Sequence, residues 1–257
     1  MSLDDDNADY KDWIFTFNLS KPIEYLGTII DAPNIKLNTN KNNQITGFTI
    51  TRKDSFYEEA EEKSNNKAKN LANIITIRSG MPIEANLRSY HSIPKRNQLS
   101  KVVKTSRHIF SIDGAIQNLD LNDTLIEKIV NSKPPHSEYY RHLSKSIFHY
   151  YNNNPIDCIK EGYLIIENNS NFTSSSKSQN EYTALRNVLS HPRTPGSQYS
   201  QGTFDLFTKT FTHSDFDYTE DSVNRKITID VESNKNHEKL VSIAKKLIEE
   251  LKSHLHL

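Results

Sequence analysis

The hydrophobic period of the chain changes near residue 119, and that change limits the fold more than any other feature. Before it, WIFTFNL (13–19) and QITGFTITR (44–52) alternate apolar and polar residues in the manner of half-buried strands, with an Asn-rich turn at 38–43 between them. They predict a strand pair. Residues 55–77 place Phe56, Ala60, Ala68, Leu71, Ala72 and Ile75 at spacings near 3.6, which predicts one amphipathic helix with a weak polar middle. Strand patterns return near 83–91 and 101–112.

Beyond residue 119 the signals are helical. Ser137 is placed to cap EYYRHLSKSIFHYY, in which Tyr140, Leu143, Ile147 and Tyr151 share a face. In NPIDCIKEGYLIIE, Asn154 reads as the cap and Pro155 as the first helical residue, with Ile156, Ile159, Tyr163 and Ile166 as the apolar stripe. The link at 152–154 is so short that the two helices must pack antiparallel. After the polar segment 170–180, Ser178 and Glu181 form a capping box for a helix carrying LRNVLSH, which Pro192 ends. Residues 193–202 are rich in Pro, Gly and Ser; FDLFTKTF and RKITIDV then read as a strand pair, and HEKLVSIAKKLIEELKSHL as a closing helix with Leu240, Ile243, Leu247 and Leu251 inward. The fold class expected is α+β: a mixed strand and helix domain at 1–115, then an antiparallel helical bundle at 116–257 with a small strand-pair insertion at 193–234.

Composition narrows the function. Lys plus Arg and Asp plus Glu both number 32, so no global field draws the protein to nucleic acid or membrane, and such a partner must be met by a local patch. With 35% hydrophobic residues the chain can bury a core, while a mean hydropathy of −0.71 implies extensive polar loops. A single cysteine, Cys158, excludes an internal disulfide framework and fits a reducing compartment. The acidic start MSLDDDNADYKD has no apolar run, and no stretch is long enough to span a bilayer, so a cytoplasmic location is expected, in which the Asn-x-Ser/Thr triplets at 18–20 and 171–173 are not glycan sites. Only seven glycines occur, and no GxGxxG, P-loop, HExxH, paired CxxC or GxSxG is present. The acidic loop HSDFDYTED (213–221) offers His213, Asp215 and Asp217, yet their order matches no metal motif; no cofactor or metal is expected.

One short stretch carries chemistry. In LRNVLSHP (185–192), at about 100° per residue, Tyr182, Leu185, Val188 and Leu189 gather in one sector, and Arg186, Asn187, Ser190 and His191 fill a polar sector beside it. An arginine there can hold a phosphate through two N–H groups, and a histidine in the last helical turn, where the dipole favours its cationic form, can trade protons near neutral pH. The plain alternative is a polar helix end, where Arg and His satisfy free carbonyls. Glu167, near the end of the preceding helix, is placed to orient Arg186 by an ion pair, or to stand as an exposed helix-end carboxylate.

The run Arg186, Asn187, Val188, Leu189, Ser190, His191, late in a helical region and preceded by FHYYNNNPIDCIKEGYLIIE, resembles the HEPN superfamily (higher eukaryotes and prokaryotes nucleotide-binding) of the ApeA-like kind. The resemblance covers about residues 119–192, and its signature is Arg, four to six residues, then His, often with Asn directly after the Arg. It implies a metal-independent endoribonuclease whose active site forms where two copies of the motif helix meet in a homodimer. Arg186 would stabilise the scissile phosphate, His191 would act as general acid or base for attack by the RNA 2′-hydroxyl, leaving a 2′,3′-cyclic phosphate, and Asn187 would position one of them, with Glu167 and Ser190 in support. Many HEPN proteins are instead inactive modules that dimerise or bind nucleotides.

From Ala85 to Ile112 there is no acidic residue, while Arg88, Lys95, Arg96, Lys101, Lys104 and Arg107 accumulate with His91, His108 and Tyr90. Such a patch attracts a phosphate backbone, and Tyr90 is a candidate platform for a base. Two readings follow: a ribonuclease or RNA-binding homodimer, or a non-catalytic dimerisation module joined to an N-terminal domain that senses a small ligand or protein partner.

Overall fold

The computed structural model describes residues 11–25, 31, 32, 34–93, 103, 104, 116–119, 136–169, 172, 176–190 and 199–257. It is an α+β protein with six helices and two sheets among the described residues, divided into two compact units, Met1–Ser137 and Glu138–Leu257.

The first unit is a sheet with one helix. Its elements are β1 (Lys11–Tyr25), β2 (Asp31–Ala32), β3 (Ile35–Thr39), β4 (Gln44–Asp54), α1 (Tyr57–Ser79), β5 (Ala85–Ile93), β6 (Val103–Lys104) and β7 (Ile116–Leu119). The order across the sheet is β2-β3-β4-β1-β5-β6, and β1 is its hub, antiparallel to β4 on one side and to β5 on the other. Phe15 faces Ile50 and Tyr90, and Phe17 faces Phe48, so the alternate residues Phe15, Phe17 and Leu19 bury one face of the sheet. Helix α1 meets β1, β4 and β5, and its buried residues Ala60, Ser64, Ala68 and Ala72 are small enough to permit close approach. Phe56, expected on that apolar face, precedes the helix in extended backbone and is 64% exposed.

Near the far end of β1 a bulge interrupts its pairing with β4. Asn18 pairs with Gly47 and Ile23 with Ile45, so residues 19–22 lie opposite Thr46 alone, in a bulge that contains Pro22. At its start a Cβ on residue 47 would lie 2.1 Å from the Phe17 carbonyl oxygen, a distance only glycine permits. The end of β1 beyond the bulge pairs in parallel with β7, Ile23 with Ile116 and Tyr25 with Leu119. Residues 116–119, which the expected boundary at 115 places in the helical domain, are a strand of the sheet, and the chain divides into compact units after Ser137. Gly47→Ala is expected to lower the stability of this unit by about 1 to 3 kcal/mol through overpacking. The single tryptophan, Trp13 on β1, provides the measurement: the midpoint of its fluorescence transition in urea falls.

The second unit contains α2 (His136–Tyr151), α3 (Pro155–Asn168), α4 (Ser176–Ser190), α5 (Gln201–Thr210), β8 (Tyr218–Asp221), β9 (Lys226–Ile229) and α6 (Asn234–His254). Asn154 accepts from the Asp157 N–H at 3.2 Å and caps α3, with Pro155 in its first turn. Antiparallel packing of α2 on α3 shows in three cross-links of opposite sequence order. Tyr139 Oη donates to the Asn168 carbonyl at 2.7 Å, His142 Nδ1 meets Glu161 Oε2 at 2.8 Å, and Ser146 Oγ donates to the Cys158 carbonyl at 2.8 Å. Gly162 lets α6 join them, since a Cβ there would lie 2.8 Å from a methyl of Leu247 and 3.2 Å from Ser146 Oγ. Leu143, Ile147, Ile159, Ile165, Leu247 and Leu251 complete this core.

Four local expectations are corrected. Helix α2 starts at His136, so Ser137 lies inside its first turn; Tyr151 ends the helix and is 50% exposed, because α3 begins only at Pro155. Helix α4 starts at Ser176, which makes Ser178 a buried helical residue and not a cap. FDLFTKTF forms α5 and not a strand: Phe204, Phe207 and Phe211 are spaced three and four apart on a buried face, and Ser200 Oγ accepts from the Thr203 N–H at 3.2 Å. The strand partner of Lys226–Ile229 is Tyr218–Asp221. The closing helix has Leu240, Ile243, Leu247 and Leu251 buried as expected. No helix among the described residues is long and apolar enough to cross a membrane.

Buried Asn236 ties the hairpin to α6, accepting from the Asp217 N–H and donating to the Asp217 and Asp230 carbonyls at 2.6 to 2.7 Å. Beside it, Lys239 Nζ donates to Asp215 at 2.9 Å; that bond and the Thr212 N–H hold the Asp215 carboxyl down at about 2 from the ordinary 3.8. A depressed folded-state value stabilises above the unfolded value and is lost on acidification. Asp215 is therefore expected to contribute at pH 5 and to cease contributing as pH falls from about 4 to about 2. Unfolding in urea followed by circular dichroism at pH 5 and pH 2.5 checks this, Asp215→Asn losing less between the two than wild type.

Candidate functional site

Helix α4 is oriented by its apolar sector. Tyr182, Leu185 and Val188 are buried, which turns Arg186 and Asn187 to a half-exposed edge and Ser190 to solvent. Arg186 Nη2 donates to both oxygens of Glu167, at 3.0 and 3.3 Å, and Nη1 donates to Asn187 Oδ1 at 3.2 Å. Glu167 lies in the last turn of α3, and Tyr163, one turn earlier on the same helix, presents its ring 5.5 Å from the Arg186 guanidinium carbon. Tyr163 is itself held, its hydroxyl 3.1 Å from Thr183 Oγ1 on α4. The guanidinium is thus fixed in position by a carboxylate, an amide and an aromatic ring. Among the described residues its contacts occupy three of its five N–H groups at most.

The structure brings together Arg186, Asn187 and Glu167, the last as the ion-pair partner that is one of its two readings, and adds Tyr163 and Thr183. Tyr163 was legible as the residue four before Glu167, which shares its helix face, but its apolar neighbours assign it to the core stripe. His191 lies outside the described residues, as does Pro192.

The basic segment separates differently. Arg88 is exposed at a register shift, where Thr16 pairs with Ser89 and Phe17 with Leu87, leaving Arg88 without a partner on β1. Tyr90 turns to the face under α1, its ring centroid 4.5 Å from that of Tyr57 and 6.1 Å from that of Phe15. Tyr90 is half-exposed and packs one side of its ring against Tyr57. Lys104 is on β6 by its backbone, paired with Ser89; Lys95, Arg96, Lys101 and Arg107 lie outside the described residues, with His108.

In the acidic loop, His213 stacks on Tyr218 at 4.2 Å, and these two with Asp217, Thr219, Thr228 and Asp230 line an open cleft of about 520 Å³. Among the described residues no group of three or more His, Cys, Asp and Glu side chains is arranged to hold a metal ion. Cys158 is buried, which pushes its thiol up to about 11. Compared with family models, curated proteins and solved structures, the chain finds no match in any of the three.

The Arg186–Glu167 pair has side chains 31% and 44% exposed, so its direct contribution to stability is small. Glu167→Gln is expected to lower unfolding stability by less than about 1 kcal/mol, measured in urea.

Proposed function

We propose that the Arg186 edge of α4 is a phosphodiester-binding site and that the protein is a metal-independent, HEPN-type endoribonuclease acting as a homodimer. One observation supports this reading above the others: the Arg186 guanidinium is positioned by Glu167, Asn187 and Tyr163 at the surface of a helix, with at least two N–H groups that no described residue engages. A guanidinium ordered in advance loses less conformational freedom when it grips a phosphate. In this reading His191 withdraws the proton from the RNA 2′-hydroxyl, or supplies one to the leaving 5′-oxygen, Arg186 stabilises the charge on the phosphorane, and the product carries a 2′,3′-cyclic phosphate. A homodimer supplies the second acid or base that a single motif lacks.

The same contacts favour a second reading, in which Arg186 braces α3 to α4 and the helical unit is a non-catalytic dimerisation module. The readings part in EDTA with end-labelled RNAs. The ribonuclease reading expects cleavage by wild type, cyclic phosphate ends, and losses of about 10² to 10⁴ in rate for His191→Ala. Arg186→Ala is expected to be comparably inactive, whereas Glu167→Gln retains partial activity because it misplaces the guanidinium without removing it. Equal inertness of wild type and all variants across varied RNAs, with each folded and dimeric, would overturn it.

A further inference from the structure

On the flank of α1 that meets β4, cations outnumber the carboxylates beside them. Arg52 of β4 and Lys63 of α1 converge on one oxygen of Asp54, with Nε at 3.3 Å and Nζ at 3.0 Å from Oδ2, and Lys63 Nζ also lies 3.3 Å from Glu59 Oε2. Lys67 stands one turn beyond Lys63, about 40° from it around the helix. Three cations stand here against two carboxylates. The other acidic residues of α1, Glu58, Glu61 and Glu62, are about 120° or more around the helix from Lys67.

Lys67 is the unmatched member of the group. It is half-buried, and among the described residues nothing accepts a hydrogen bond from its ammonium. Burial holds that ammonium below the ordinary lysine range, and the Arg52 guanidinium beside it lowers it further. Arg52 is only partly engaged: its Nε–H bonds to Asp54, and no described residue accepts from its Nη–H groups. Two cations held side by side, partly out of water and short of acceptors, cost free energy in the folded state. An anion that bridges them removes that cost. A carboxylate spends both oxygens on a guanidinium fork, whereas a phosphate has others left for the point charge of a lysine.

We propose that Arg52 and Lys67 form a phosphate-binding site of the sheet unit, the guanidinium gripping two oxygens of the phosphate and the ammonium a third. The site uses neither Arg186 nor the basic segment at 85–112, and it stands whether or not the chain cleaves RNA. It gives the sheet unit a ligand of defined chemistry, a small molecule that carries a phosphate.

Trp13, the single tryptophan, lies beside the site: it is opposite Arg52 in the β1–β4 register, and its Nε1 donates to the Asp54 carbonyl at 3.2 Å. The test is titration of its fluorescence with inorganic phosphate, glycerol 2-phosphate, dimethyl phosphate and, as the carboxylate control, acetate, at ionic strength held constant with sodium chloride. Every protein carries Arg186→Ala, so that the site proposed in the helical unit does not contribute. The Arg186→Ala parent is expected to bind inorganic phosphate saturably and acetate about ten-fold or more weaker. Lys67→Met, which keeps the aliphatic stem and removes the charge, should bind phosphate about ten-fold or more weaker than the parent. Arg52→Lys, which keeps the charge and loses the fork, should do the same. Without phosphate the urea midpoint of Lys67→Met should equal or exceed that of the parent, because a like charge is gone. Phosphate should raise the midpoint of the parent and not that of Lys67→Met. The esters distinguish the sources: glycerol 2-phosphate binding as well as free phosphate assigns the site to a phosphomonoester, dimethyl phosphate binding as well assigns it to a phosphodiester, and binding of neither leaves inorganic phosphate as the ligand. Absence of both a saturable response and a rise in midpoint, equal affinities in the parent and Lys67→Met, acetate bound as tightly as phosphate, or a lower midpoint of Lys67→Met without phosphate would overturn the proposal.

Discussion

The close approach of three helices at Gly162 is the constraint on which the second unit depends. Where residue 162 lacks a side chain, Leu247 of α6 and Ser146 of α2 come within van der Waals distance of the α3 backbone, and the Ser146 hydroxyl bonds to the Cys158 carbonyl one turn away. Any larger residue would have to move Leu247, which is fully buried, and interiors at crystal-like density absorb such shifts poorly. With α3 locked between α2 and α6, its other edge is presented to α4. Everything proposed for Arg186 follows from that placement.

Helix α3 accordingly serves two surfaces with different chemistry. Glu161 points toward α2, where His142 and Lys145 reach it, while Tyr163 and Glu167, one turn apart, point toward α4 and hold Arg186. The two carboxylates are six residues apart, about 120° apart around the helix, so they face different neighbours. Each neutralises and orients cations on a neighbouring helix. Among them Arg186 is the cation for which an anionic ligand is proposed.

The sheet unit depends on a comparable local exception. Gly47 permits the bulge in β1, and the end beyond the bulge is what β7 joins in parallel, while the part before it takes β5. One strand thereby serves three neighbours. The same register turns Tyr90 inward against Tyr57, because Tyr90 pairs with Phe15 and shares its face. A tyrosine in a basic segment reads as a binding residue until its strand register is known.

Local pattern by itself determined the α+β class, the β1–β4 pair, the presence of α1, the cap at Asn154, the antiparallel α2–α3 pair and the inward face of α6, because each is written in the apolar period or turn chemistry of its own segments. It offered the Arg186–Glu167 ion pair only as one of two readings, since the polar segment between α3 and α4 leaves open how their faces meet. Misreadings came where local signals are degenerate. FDLFTKTF satisfies both an alternating and a three-and-four spacing, and only its burial as a helix on the α4 side decides between them. Tertiary structure alone decided that residues 116–119 join the sheet, that Tyr163 lies by Arg186 and that Phe148 and Tyr151 stay exposed. Those outcomes depend on which elements pack together, and free energy of burial depends on partners distant in the chain rather than on the pattern of any one segment.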